Sequence, residues 1–225
     1  ALGGIGTNDN FITPENAIMT DKPRVPGGSS SGSGVALANG LCAASFGTDT
    51  GGSVRIPSAW NKLIGLKTSI GRISLKGVTP LASSYDTVGP LTKSVKDASL
   101  LFSILTNRPY FNFENIHFNK IKILVVKGMP WINADDKVQE ACEKAIIKLS
   151  KAGIEIVEKE IFEIEEMHNL LAENNGGTTV AEAYSKWKNL VEKHSSLIDR
   201  DVLNRMLLGK RMTKLSLMAI YEAEK

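Results

Sequence analysis

The sequence predicts an α/β fold, on three observations. Strand-like, helix-like and strand-like runs follow one another between residues 121 and 157, with a glycine stop before the last, which is the order of a βαβ unit. Glycine is concentrated in one half: residues 1–110 hold 15 of the 20 glycines and 16 charged side chains, whereas 111–225 hold 5 glycines and 35 charges. The second half then continues to its end with apolar residues at helical spacing.

After a glycine-serine cluster at 27–34, residues 35–46 form a small-residue apolar run rich in alanine and leucine, which reads as a short, closely packed helix. Residues 63–66, 70–74 and 78–81 are short strand-like runs punctuated by glycine and proline, and 94–105 is an amphipathic helix following Pro90. In the second half 121–127 is an apolar strand. Residues 134–152 carry apolar groups at Val138, Ala141, Cys142, Ala145, Ile146 and Leu149, a helix stopped by Gly153, and 154–157 is the returning strand. Helical periodicity resumes over 164–174, 179–197 and 201–225, interrupted most clearly at Gly176 and Gly177.

A length of 225 residues, 42% hydrophobic and 23% charged, supplies one large core or two small ones. It rules out a disordered chain, a collagen-like repeat and a disulfide-stapled miniprotein. No stretch approaches the roughly 18 consecutive apolar residues of a membrane span, and Ala1 to Thr7 lack the basic start and apolar run of a signal peptide, so a cytoplasmic location is expected. Cys42 and Cys142 have no Cys-x-x-Cys or histidine cluster beside them; they read as reduced and buried, and no metal site is expected. A net charge of +3, with lysines interleaved among glutamates, gives no nucleic-acid footprint.

Three readings compete for Gly27-Gly28-Ser29-Ser30-Ser31-Gly32-Ser33-Gly34: a flexible linker, a phosphate-cradling loop, and half of a nucleophile site. The phosphate loop lacks its Gly-Lys-Ser/Thr ending. A linker would not be followed by a second glycine turn, Gly47-Thr48-Asp49-Thr50-Gly51-Gly52-Ser53, that ends in Ser-Val-Arg-Ile-Pro. Adjacent glycines before a serine let the backbone approach a substrate carbonyl and gather N–H groups toward one point, as an oxyanion hole requires.

These two clusters, with Val54-Arg55-Ile56-Pro57-Ser58, Gly65-Leu66-Lys67-Thr68-Ser69-Ile70-Gly71-Arg72, Ser84-Tyr85-Asp86-Thr87-Val88-Gly89-Pro90 and Ser94-Val95-Lys96-Asp97, resemble the signature of the amidase signature family. The match is dense over 27–97, and a weaker similarity runs through the rest. The resemblance implies a mixed, twisted sheet covered by helices on both faces, present here incompletely: one domain truncated at both ends, with a glycine-rich catalytic core over 1–110 and a βαβ unit and helical portion over 111–225. It also implies hydrolysis of a carbon–nitrogen amide bond by a Ser, cis-Ser, Lys triad, without metal or organic cofactor.

The matching positions are Ser53 as nucleophile and Ser29 as the bridging serine, whose preceding peptide bond is cis in the family. A neutral lysine, desolvated enough to lower its pKa, draws a proton through the bridging hydroxyl. Backbone N–H groups of Thr50, Gly51, Gly52 and Ser53 receive the oxyanion, at roughly 3–4 kcal/mol per donor in comparable sites. Ser30 is the candidate for an auxiliary hydrogen bond and Ser31 a loop-shaping hydroxyl. Asp49 and Arg55 are expected to hold the turn by hydrogen bonds and charge. Trp60, Trp131 and Trp187 read as packing.

His117, His168 and His194 are scattered in the charged half and read as solvated. The family's lysine lies several tens of residues before the bridging serine, and no lysine here matches it: Lys22 stands in a loop-like stretch, Lys96 reads as solvent-facing and Lys67 as structural. An absent N-terminal segment would leave apolar surface for self-association or a partner chain. Three functions stay open: an amidase of small or aryl/alkyl amides, the glutamine-hydrolysing subunit of a tRNA-dependent amidotransferase, and a non-catalytic remnant.

Overall fold

The computed structural model describes residues 4, 14–111, 113, 116–128, 131, 134–173, 177–213, 217, 218, 220 and 222. They divide into two compact units: one takes the described residues up to Phe111 and those from 177 to 220, the other those from 113 to 173 with 222.

In the first unit, helix α1 (Ser31–Ala38) leads to strand β1 (Ser45–Asp49), helix α2 (Arg55–Trp60), strand β2 (Ile64–Gly65), strand β3 (Thr87–Thr92) and helix α3 (Val95–Thr106). The strands form an antiparallel sheet in the order β1-β3-β2, with Asp49 opposite Thr87 and both Ser45 and Gly65 opposite Leu91. Leu37, Val54 and Leu91 meet in a fully buried core. Each such side chain contributes about 1.5–3 kcal/mol by leaving water. Helix α3 starts where Ser94 Oγ accepts from the Asp97 N–H at 3.1 Å, and it stops at Asn107 in the left-handed region.

The second unit holds strand β4 (Lys122–Lys127), helix α4 (Asp136–Lys151), strand β5 (Glu155–Glu160) and helix α5 (Phe162–Glu173). β4 and β5 pair in parallel with Lys122 opposite Glu155, and α4 packs on β5, completing a βαβ unit. Asp135 caps α4 by accepting from the Lys137 N–H at 2.9 Å.

Returning to the first unit, helix α6 (Thr178–Lys193) crosses helix α7 (Arg200–Lys210) around Val191, Val202 and Met206. Their backbones approach so closely that a Cβ on Gly209 would collide with the Val180 carbonyl. Asp199 caps α7 by accepting from the N–H groups of Asp201 at 3.0 Å and Val202 at 3.2 Å. Trp187 Nε1 donates to the Pro80 carbonyl at 2.9 Å and Ser84 N–H to Glu182 Oε2 at 3.1 Å, which joins α6 to the loop before β3.

The α/β class holds, with antiparallel and parallel pairing carried by separate sheets. The details differ from the sequence expectation at several points. The helix expected over 35–46 begins inside the glycine-serine cluster and ends at Ala38, while Ser45 and Phe46 open β1. Residues 70–74 and 78–81 are not strands, because hydrogen bonds from Arg72 N–H to Ser69 O and from Val78 N–H to Leu75 O close turns there. The central strand, β3, has no counterpart among the expected strands. Helices α6 and α7 fall in the unit of the glycine-rich region. Cys42 and Cys142 are unpaired but half-buried, not buried; Cys42 packs at the margin of the Leu37 core. Residues 174–176 and 214–216 lie outside the described residues. Among the described residues no helix is long and apolar enough to cross a membrane.

Candidate active site

Strand β1 ends at Asp49, whose side chain is 0% exposed, and the chain turns through Thr50, Gly51, Gly52 and Ser53 into α2. A buried carboxylate needs donors for its lone pairs, and this turn supplies five. Oδ1 accepts from Gly52 N–H at 2.7 Å and Arg55 Nη2 at 3.0 Å. Oδ2 accepts from Val54 N–H at 3.2 Å, Arg55 N–H at 3.3 Å and Arg55 Nε at 3.0 Å. Burial pushes the Asp49 carboxyl up, but the Arg55 guanidinium and the three backbone N–H groups outweigh it and hold the pKa below the usual carboxylate range. Gly52 has φ +129°, and a Cβ there would meet Ile56 Cδ1 at 2.7 Å, so the turn depends on glycine at that position.

A second carboxylate fixes the turn from the next loop. Thr50 Oγ1 donates to Asp86 Oδ1, while Asp86 also accepts from the N–H groups of Leu81 at 2.8 Å and Ala82 at 3.2 Å.

The first glycine-serine cluster is ordered against this turn. The Gly28–Ser29 peptide bond is cis. Ser30 N–H donates to the Ser53 carbonyl at 3.1 Å, and Ser30 Oγ to the Thr48 carbonyl at 3.3 Å. Ser31 is not in a loop; it opens α1, and its Oγ is buried with no hydrogen-bond partner among the described residues.

Gly27, Gly28, Thr50, Gly51 and Ser53 line one cavity of about 420 Å³, whose remaining wall includes Ile56, Trp60, Leu81, Val180, Val202, Arg205 and Met206. Nearly all of that remainder is apolar. The two clusters therefore converge on a single space, with the cis bond ahead of Ser29 at its edge. The Gly52 N–H is committed to Asp49, whereas no described hydrogen bond takes the N–H of Gly51 or Ser53.

Lys22 and Lys96 are exposed, Lys67 Nζ donates to the Thr68 carbonyl at 3.0 Å, and none of the three lines the cavity. His117, His168 and His194 are exposed. Trp131 and Trp187 donate their indole N–H to the Val126 and Pro80 carbonyls, but Trp60 stands in the cavity wall and not only in packing. Two residues of the site escape a reading of the sequence: Asp86 as an anchor and Arg205 as a wall residue. Asp86 stands inside a family motif, and a carboxylate four and five positions after the N–H groups of Ala82 and Leu81 is a loop-closing pattern that could have marked it. Arg205 carries no such signal, lying in a helical stretch where charges alternate with apolar residues.

A family model described as Amidase matches residues 1–219. The 2-amino-5-chloromuconic acid deaminase of Comamonas testosteroni is 35% identical over 184 residues, covering 81% of this chain and 39% of that protein. A glutamyl-tRNA(Gln) amidotransferase subunit of Helicobacter pylori is 41% identical over 156 residues, covering 64% of this chain and 34% of its own length. A solved amidase crystal structure superposes with TM-score 0.85 at 30% identity, covering 97% of this chain and 48% of that one. The chain thus spans between a third and two-fifths of the length of these curated relatives.

Proposed function

The chain belongs to the amidase family, and from that premise we propose that it carries the nucleophile of an amide hydrolase, with Ser53 as the attacking residue. The observation that supports this most is the convergence of Gly27, Gly28, Thr50, Gly51 and Ser53 on one cavity. Ser53 Oγ attacks the amide carbon while its proton passes to the Ser29 hydroxyl and on to a neutral lysine. The N–H groups of Gly51 and Ser53, with that of Thr50, receive the oxyanion, and Gly52 holds the turn through Asp49. Collapse of the tetrahedral species breaks the C–N bond, and the leaving nitrogen takes the proton back along the relay. Water then attacks the acyl-Ser53 ester and releases the acid.

The relay needs two things of the working state. The Ser29 and Ser53 hydroxyls must stand in hydrogen-bond range, a contact that tightens on substrate binding. The base must be a lysine outside the described residues, since no described lysine lines the cavity. Ser30, bonded to the Thr48 carbonyl, supports the turn.

The test is fluorophosphonate labelling of the protein expressed from its complete reading frame, with the modified residue located by mass spectrometry. Modification of Ser53 is expected; a label on any other residue sinks the assignment. The identity to the amidotransferase relative favours a second reading, a glutamine-hydrolysing subunit that feeds ammonia to a partner. Glutaminase activity that appears only on adding partner subunits selects it.

A further inference from the structure

We infer that Arg205 selects the substrate: the site takes amides that carry a carboxylate, and the guanidinium binds that carboxylate. The inference rests on the amide-hydrolase reading above and adds a substrate class to it.

The cavity wall is glycine backbone, a few hydroxyls and apolar side chains, with Arg205 its one cation among the described residues. Arg205 stands on α7 with Val202 three positions before it and Met206 next to it, and both of those neighbours are buried and line the same cavity. α7 is itself fixed by the Asp199 cap and the close approach at Gly209, so the guanidinium is presented from a rigid support.

Its hydrogen bonding is unfinished. Nε donates to the Asp201 carbonyl of its own helix at 3.3 Å, and no described residue accepts from the Nη atoms or forms an ion pair with it. Arg24 and Arg55 are paired with Asp21 and Asp49, while Arg72, Arg108, Arg200 and Arg211 share the unpaired state of Arg205 among the described residues; what sets Arg205 apart is its place in the cavity wall. Arg205 is half-buried and its helix bond lies in exposed surroundings, so water serves its remaining N–H groups and an arriving anion displaces that water. A carboxylate offers two coplanar oxygens to that fork. One cation also balances one carboxylate, whereas a dianionic phosphate would enter with charge to spare. The volume of about 420 Å³ admits a small molecule with both an amide and a carboxylate.

The test is calorimetric titration of the protein from its complete reading frame, in a Ser53→Ala background that prevents turnover, with succinamate and with its methyl ester. The acid is expected to bind roughly 10- to 100-fold more tightly than the ester, the range of a charge-assisted hydrogen bond. In Arg205→Met the difference is expected to close to about twofold or less, and Arg205→Lys to keep part of it. Arg205→Gln, which keeps helix-forming character, replaces Arg205→Met should the latter not fold. Equal binding of acid and ester, binding of neither, or a preference that survives the loss of the guanidinium in a folded variant overturns the inference. Because this readout needs no turnover, it separates from the labelling experiment: an acid preference without Ser53 labelling removes the hydrolase reading alone, and labelling without preference removes the substrate class alone.

Discussion

The main-chain N–H of Ser30 donates to the carbonyl of Ser53 at 3.1 Å. This bond ties the first glycine-serine cluster to the turn that follows β1, and Asp49 then holds that turn from within by accepting five hydrogen bonds. The position of Ser53 is thereby set by backbone hydrogen bonds, by the buried carboxylates of Asp49 and Asp86 and by the burial of Val54 next to it.

Asp49→Ala is expected to destabilise the protein by about 3–5 kcal/mol, because it strands three backbone N–H groups and the Arg55 guanidinium at once. Arg55→Ala should cost less, about 1–3 kcal/mol, since its side chain is 51% exposed and Asp49 keeps three backbone donors. Urea unfolding of the two variants measures the asymmetry; equal midpoint shifts would contradict it.

Stability should fall on acidification because of the same group. The folded-state pKa of Asp49 is depressed below its ordinary 3.8, so its contribution is complete above that value and is lost as pH drops through the lower folded-state value. Denaturant midpoints taken from pH 6 downward should therefore fall less steeply below about pH 4 in Asp49→Asn than in the unsubstituted protein.

Gly209→Ala should loosen the cavity wall. The added methyl collides with the Val180 carbonyl, so α6 and α7 must separate, at roughly 1–3 kcal/mol. Thermal unfolding gives the loss, and an unchanged transition would show that the helices yield freely.

Thr50 and Asp86 should behave as a coupled pair. Thr50→Val removes the donor and Asp86→Asn alters the acceptor, and their double-mutant cycle is expected to give a coupling of about 1–3 kcal/mol. Strict additivity would mean that the turn does not depend on the loop carrying Leu81.

The long periodic elements are legible in the sequence because their faces repeat: α3, α4 and the β4-α4-β5 unit lie within a few residues of their expected bounds. β3 is not, because Gly89 and Pro90 are turn residues by composition. In the sheet both are buried in the middle strand, where Gly89 meets the Leu66 carbonyl and Pro90 still offers its own carbonyl to the Leu66 N–H at 3.1 Å. Of the site, the hydroxyls and the turn are readable from local spacing. Asp86 and Arg205 are not, since what places them is the meeting of segments distant in sequence. β5 runs past its expected end because Glu158, Lys159 and Glu160 continue the ladder opposite Val125, Val126 and Lys127, a pairing that apolar patterning does not register.

The first unit is assembled from two stretches of chain, and α7 belongs to the later one. During synthesis about 150 residues must therefore emerge after Ser53 before Arg205 leaves the ribosome. Throughout that interval Ile56, Trp60 and Leu81 face water or a chaperone, so a nascent chain stalled before residue 200 would present this apolar lining as a sticky surface.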